Sequence, residues 1–175
     1  MSKTFAITAG HSDSDPGAVA GGRKEAEIAR DMRNIVATKL RERGHRVFTD
    51  GKSHENLPLT VAITLAKQAQ VAVEFHCNAA ASVQANGVET ISLPKDKALA
   101  QRISKAVADA MGAKLRGDAG WIDQSKSARG RLGFVNAGGL IVELFFISNP
   151  AETAVWDAKK WLVATAVADA LEAQQ

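Results

Sequence analysis

Four residues offer chemistry that neither solubility nor core packing demands. His11 follows the apolar run 5–9, His76 stands near the end of a second apolar run, 71–77, and Glu25 opens a helical stretch, 23–43, just after the His11 loop. Imidazole and carboxylate suit zinc, and three protein ligands leave a fourth position for water, the pattern of a catalytic rather than a structural site. Water held there ionises near neutral pH and becomes a nucleophile. Glu143 interrupts the apolar stretch 139–147. A carboxylate there is costly to bury unless paired or near a metal. Beside an activated water it suits a general base that later protonates the leaving nitrogen. Strand alternation groups Glu143 with Ile141 and Phe145, opposite Val142 and Leu144.

Taken singly, each residue has an ordinary explanation. A lone histidine is more often a surface or satisfied core residue, Glu25 suits a helix N-terminus, and Glu143 could be a core ion-pair partner. The four together carry the case. By alternation Glu74 shares a face with His76 and Asn78. It either orients the imidazole from behind or rivals Glu25 as the third ligand. His45 and His54 are assigned to the surface, and Cys77 to a buried, inert position.

These residues need a scaffold. Residues 5–9, 46–49, 71–77, 87–93 and 139–147 read as strands. Residues 23–43, 59–70, 95–111 and 152–172 read as helices, with Ile28, Met32, Ile35, Val36 and Leu40 forming one stripe. The last helix is assigned Trp156, Trp161, Leu162, Val163, Val167 and Leu171 on its core side. Val61, Leu65 and Ala69 are assigned to one side of the second helix. Residues 112–131 show no pattern and read as a loop. Alternating strands and helices predict an α/β layer fold with a largely parallel sheet, whose sites gather beyond the C-terminal strand ends. His11 and His76 can therefore converge although 65 positions apart.

The 175 residues fit one domain, residues 1–175, with no room for a separate wall-binding module. A net charge of +3 suits a polyanionic surface but is too small to argue for nucleic acid. One cysteine excludes an internal disulfide. No apolar run approaches the roughly 20 residues of a membrane span, and the N-terminal segment is too short and polar for a signal peptide. The expectation is a monomer made in the cytoplasm, without stable membrane insertion.

Four segments carry a resemblance. Residues 8–18 (TAGHSDSDPGA), 24–29 (KEAEIA), 74–79 (EFHCNA) followed by 87–90 (GVET), and 141–150 (IVELFFISNP) resemble, in that order, the zinc-dependent N-acetylmuramoyl-L-alanine amidases of the amidase 3 type. The resemblance implies one zinc ion on His11, Glu25 and His76, and Glu143 as catalytic acid/base. It also implies a single α/β domain with a mixed, mainly parallel sheet of about six strands flanked by helices, and peptidoglycan as substrate. Glu74 stands where the family commonly has serine. Arg129 and Arg131, near the last strand, are candidates to hold a peptide carboxylate. With no export signal, the resemblance points to a phage endolysin or an injected effector that reaches the wall after release. The alternatives are a non-catalytic wall-binding or regulatory protein on the same fold, and a zinc peptidase cutting within the stem peptide.

Overall fold

The computed structural model describes residues 2–173. A six-stranded sheet runs in the order β4-β1-β5-β8-β6-β7, formed by β1 (Thr4–Ala9), β4 (Arg46–Phe48), β5 (Val71–Asn78), β6 (Glu89–Ser92), β7 (Trp121–Asp123) and β8 (Gly139–Phe146). The four strands β4, β1, β5 and β8 are mutually parallel; β6 runs antiparallel to β8, and β7 parallel to β6. The sheet is thus mixed and mainly parallel. A small hairpin, β2 (Val19–Ala20) with β3 (Arg23–Lys24), stands apart from it.

Alternation along the strands builds two unequal cores. Phe5, Ile7 and Ala9 of β1 and Val71, Val73, Phe75 and Cys77 of β5 face α1 (Glu25–Glu42), α3 (Lys97–Met111) and α5 (Pro150–Glu172). The α1 stripe Ile28, Met32, Ile35, Val36 and Leu40 is buried there. Ala6, Ala72 and Ile141 face the other way, toward α2 (Leu59–Ala66) and α4 (Gly133–Asn136). α5 opens on Asn149, whose side chain accepts from the N–H groups of Ala151 and Glu152 at 2.9 and 3.2 Å, with Pro150 in the first helical position.

Several expectations need correction. α5 buries Trp156, Val163, Val167 and Leu171, but Trp161 and Leu162 are 63% and 55% exposed. At about 100° per residue, neither fits the stripe that the other four define. α2 stops at Ala66, and its fully buried residues are Ala62 and Ala66; Leu65 and Ala69 are half-buried and pack against that core, while Val61 does not join it. Small side chains let this helix lie close on the sheet. Residues 112–131 are more than a loop, because β7 pairs with β6 and a 3₁₀ turn, Gln124–Lys126, follows. His45 is half-buried: its ring meets Phe5 edge-on at 5.2 Å, Nδ1 accepts from Lys3 N at 3.1 Å, and Nε2 contacts Glu172 at 2.8 Å. His54 is exposed and Cys77 buried, as expected.

Alternation fails at one place in β8. His76 pairs with Glu143 and Asn78 with Phe146, so Leu144 and Phe145 together oppose the single residue Cys77. This is a β-bulge. It sends both Leu144 and Phe145 toward the three-helix core, so Phe145 does not share a face with Glu143. Glu152 accepts from Phe146 N through one carboxylate oxygen and from Gly87 N through the other, both at 2.8 Å. It thereby satisfies an N–H at the point where the ladder is disrupted.

Candidate metal centre and cleft

The C-terminal ends of β1 and β5 bring His11 and His76 together, with ring centroids 5.1 Å apart. α1 starts at the same edge and points Glu25 between them. Glu25 Oε1 lies 2.9 Å from His11 Nε2, 2.9 Å from His76 Nδ1 and 3.0 Å from the N–H of Cys77, which donates to it. Oε2 accepts from Ala18 N at 2.9 Å. One ligand atom from each of His11, Glu25 and His76 lies within 4.8 Å of the others.

The outward nitrogens are also engaged. His11 Nδ1 contacts Asp15 Oδ2 at 3.0 Å, and His76 Nε2 contacts Glu74 Oε1 at 3.0 Å. A carboxylate behind each imidazole fixes the tautomer and turns the other nitrogen inward, the arrangement that recurs at metal centres. Glu74 therefore stands behind His76 while Glu25 stands on the shared side.

Backbone shape serves the same end. His11 adopts a φ of 68°, a costly conformation for a non-glycine residue. It is held by the loop after β4. Asn56 Nδ2 donates to Gly10 O at 2.9 Å, and the N–H of Asn56 donates to both Asp13 carboxylate oxygens at 3.0 and 3.1 Å. That loop is anchored by the fully buried Arg33, which reaches Asp50 Oδ1 at 3.1 Å and Glu55 O at 2.8 Å, while Asp50 accepts from Ala9 N. Gly10 and Gly17 leave room for the ligands: a Cβ on Gly10 would fall 2.2 Å from the His76 ring, and one on Gly17, at φ 65°, 2.5 Å from His11 Nε2.

Electrostatics sharpen the picture. Burial pushes the Glu25 carboxyl up, but hydrogen bonds with His11 and His76 outweigh it and hold the group well below the usual carboxylate range. Burial lowers His76, yet Glu25 and Glu74 raise it well above 6.5. His11 is raised on the same balance by Glu25 and Asp15. Without an ion the cluster thus holds one ionised carboxylate between two imidazoles that favour protonation, and an ion bound there would displace those protons. Two imidazoles, one carboxylate and a glycine-lined cradle fit zinc.

Glu143 pairs in register with His76 on one side and Glu89 on the other. Burial, together with Glu25 and Glu89, pushes its carboxyl up to about 7 against the pull of His76 and His11. Its Oε2 is shielded and has no hydrogen-bond partner among the described residues. His11, Glu25, His76, Asn78 and Glu143 line a cavity of about 460 Å³. A second cavity of about 220 Å³, reached from the same cluster, is lined by Pro58, Leu59, Glu74 and Phe134. Arg129 borders both, while Arg131 is exposed and lines neither. Asp15, Arg116 and Glu89 are site residues not singled out from sequence. Asp15, four residues beyond His11 in a turn, had a readable signal; Arg116, in an unpatterned stretch, had none.

Fold and site define a class first: an α/β chain with a metal-ligating cluster and a buried carboxylate at the C-terminal edge of its parallel strands. Residues 6–173 match the amidase 3 family, N-acetylmuramoyl-L-alanine amidase, and the chain belongs to that family. It is 46% identical to a Neisseria meningitidis protein assigned as an N-acetylmuramoyl-L-alanine amidase. That crystal structure matches with a TM-score of 0.89 over 97% of this chain and 93% of the other. The catalytic domain of CwlV, an N-acetylmuramoyl-L-alanine amidase from Bacillus (Paenibacillus) polymyxa var. colistinus, is 25% identical, with a TM-score of 0.82 over 97% and 96% of the two chains. Over 124 residues, 67% of this chain, it is 30% identical to N-acetylmuramoyl-L-alanine amidase LytC of Bacillus subtilis (strain 168), of which it spans about a quarter. No helix among the described residues is long and apolar enough to cross a membrane.

Proposed function

We propose that this chain is a zinc-dependent peptidoglycan hydrolase that cleaves the amide between the lactyl group of N-acetylmuramic acid and the L-alanine of the stem peptide. The observation that carries the reading is the convergence of His11, Glu25 and His76 beside a carboxyl held near 7, in one cleft. His11 Nε2, Glu25 Oε1 and His76 Nδ1 would hold the ion. When bound, zinc supplies Lewis acidity to the scissile carbonyl and to a water molecule. Asp15 and Glu74 keep the two imidazoles oriented from behind.

Glu143 does the proton work. Its carboxylate takes the proton of the water that attacks the carbonyl, and as the C–N bond breaks it delivers that proton to the departing L-alanine nitrogen. A group titrating near neutrality can serve in both directions. Glu143 is partly exposed and lines the cleft, so a water there can donate to its carboxylate. Arg129, at the border of both cavities, is a candidate to contact the substrate.

Digestion of purified peptidoglycan, followed by mass spectrometry, tests the reading. Native protein should liberate stem peptides beginning at L-alanine, and both chelation and Glu143→Gln should stop their release. Cleavage within the stem would identify a peptidase instead. Zinc binding without any cleavage would identify a wall-binding protein.

A further inference from the structure

Arg116 lies between α3 and β7, where its backbone is fixed twice: its N–H donates to Val88 O at 2.9 Å, and its carbonyl accepts from Gly120 N at 2.8 Å. The side chain is fixed as well. Nε donates to Glu89 Oε2 at 2.6 Å, and the guanidinium lies over the Phe146 ring, 4.8 Å from its centroid. Nη1 makes one long contact, 3.4 Å, to Asn86 O, and Nη2 has no hydrogen-bond partner among the described residues. Yet the side chain is 36% exposed and lines the same cavity as His11, Glu25, His76 and Glu143.

The surroundings give this cation a purpose beyond pairing with Glu89. Glu89 is already held by Asn78 Nδ2 at 3.1 Å and stands across from Glu143 in the β6–β8 register. Lys126 and Arg129 line the same cavity, so this side of the cleft is cationic at its rim. A solvated arginine samples many rotamers; this one is stacked and bonded with an N–H edge left over. Such a fork is preorganised for a planar anion, and a carboxylate matches it.

We propose that Arg116, held in place by Glu89 and Phe146, is a specificity-determining residue that receives a carboxylate on the peptide arm of the substrate. The assignment rests on the amidase reading above. One strand spacing, about 4.8 Å, and one carboxylate–guanidinium contact separate Glu143 from Arg116. An extended peptide, at about 3.5 Å per residue, crosses that gap within two or three residues of the scissile bond. The group is then the carboxylate of the second stem residue, a glutamate whose α-carboxylate stays free when the chain continues through its side chain.

The test uses two soluble muropeptides that differ only at that group, one with the free carboxylate and one with its amide. Native zinc-loaded protein should favour the free acid in kcat/KM by about ten- to hundred-fold, the range of one or two charge-assisted hydrogen bonds. Removing Arg116 alone leaves Glu89 uncompensated, so the variant is the double Arg116→Met/Glu89→Gln. It should bring the ratio near one at unchanged zinc content. Equal rates on both substrates with native protein, or an unchanged ratio in the double variant, overturns the subsite. Calorimetric binding of both muropeptides to Glu143→Gln separates the two readings. A preference for the free acid there, with no cleavage of either substrate by native protein, keeps the subsite and removes the amidase reading; no preference there removes the subsite.

Discussion

At Glu143 the burial that suits proton transfer works against folding. In chelated protein its folded pKa of about 7 lies above the 4.5 of an ordinary glutamate. Its contribution to stability is therefore complete below about pH 4.5 and is lost as pH rises through about 7. Glu143→Gln stays neutral, so at pH 8 the chelated variant should exceed the chelated native protein by about 3 kcal/mol, a difference that should vanish near pH 4 in urea titrations. The same variant should lower turnover by about 10²–10⁴-fold. A cation at the cluster favours the carboxylate, so the acid limb of kcat/KM should lie at or below about pH 7. Asp15 gives a second prediction at this scale: Asp15→Ala frees His11 Nδ1 and should weaken zinc binding by about 10–100-fold, measured by competition with a chelator. His11, Glu25, His76 and Glu143 gather at one edge, and they could be singled out because histidine and buried carboxylate are rare enough in apolar runs to stand out; Arg131 lies outside the cleft. Glu74 against Glu25 was undecidable there; only three-dimensional placement puts them on opposite nitrogens of His76.

Among the elements, the long ones were legible. The β1, β5, β8, α1, α3 and α5 segments carry periodicity over enough residues to read, whereas β7, α4 and the β2–β3 hairpin span two to four residues and carry none. The β8 bulge was illegible for a different reason: alternation assumes one residue per rung, and here two oppose one. The Arg33–Asp50 pair, with both side chains fully buried, ties α1 to the loop that carries Asn56 and so to His11. Arg33→Met or Asp50→Leu alone strands a buried partner and should cost about 3–5 kcal/mol. The double variant should cost less than the sum of the two, as read from denaturant midpoints.

For the whole molecule, the cluster joins β1, β5 and α1, so a bound ion adds stability that the chain alone lacks. Zinc at about one hundred times its Kd should contribute about 2.7 kcal/mol; scanning calorimetry should show a higher Tm with zinc than with chelator, and a much smaller difference in His76→Ala. The parallel part of the sheet and the helical layers followed from the strand–helix alternation; the antiparallel edge at β6 did not, since direction leaves no mark in a four-residue strand, and only the family resemblance implied a mixed sheet. Lys3 Nζ contacts the carbonyl of Glu172, and Glu172 also reaches Arg43 and His45. The first strand and the last helix thus meet at the edge where the parallel strands begin, while the cleft opens where they end. Polypeptide joined at either end departs from the side opposite the cleft. The unit can be spliced into a longer protein, or its ends linked and the chain reopened elsewhere, without anything crossing the mouth of the cleft.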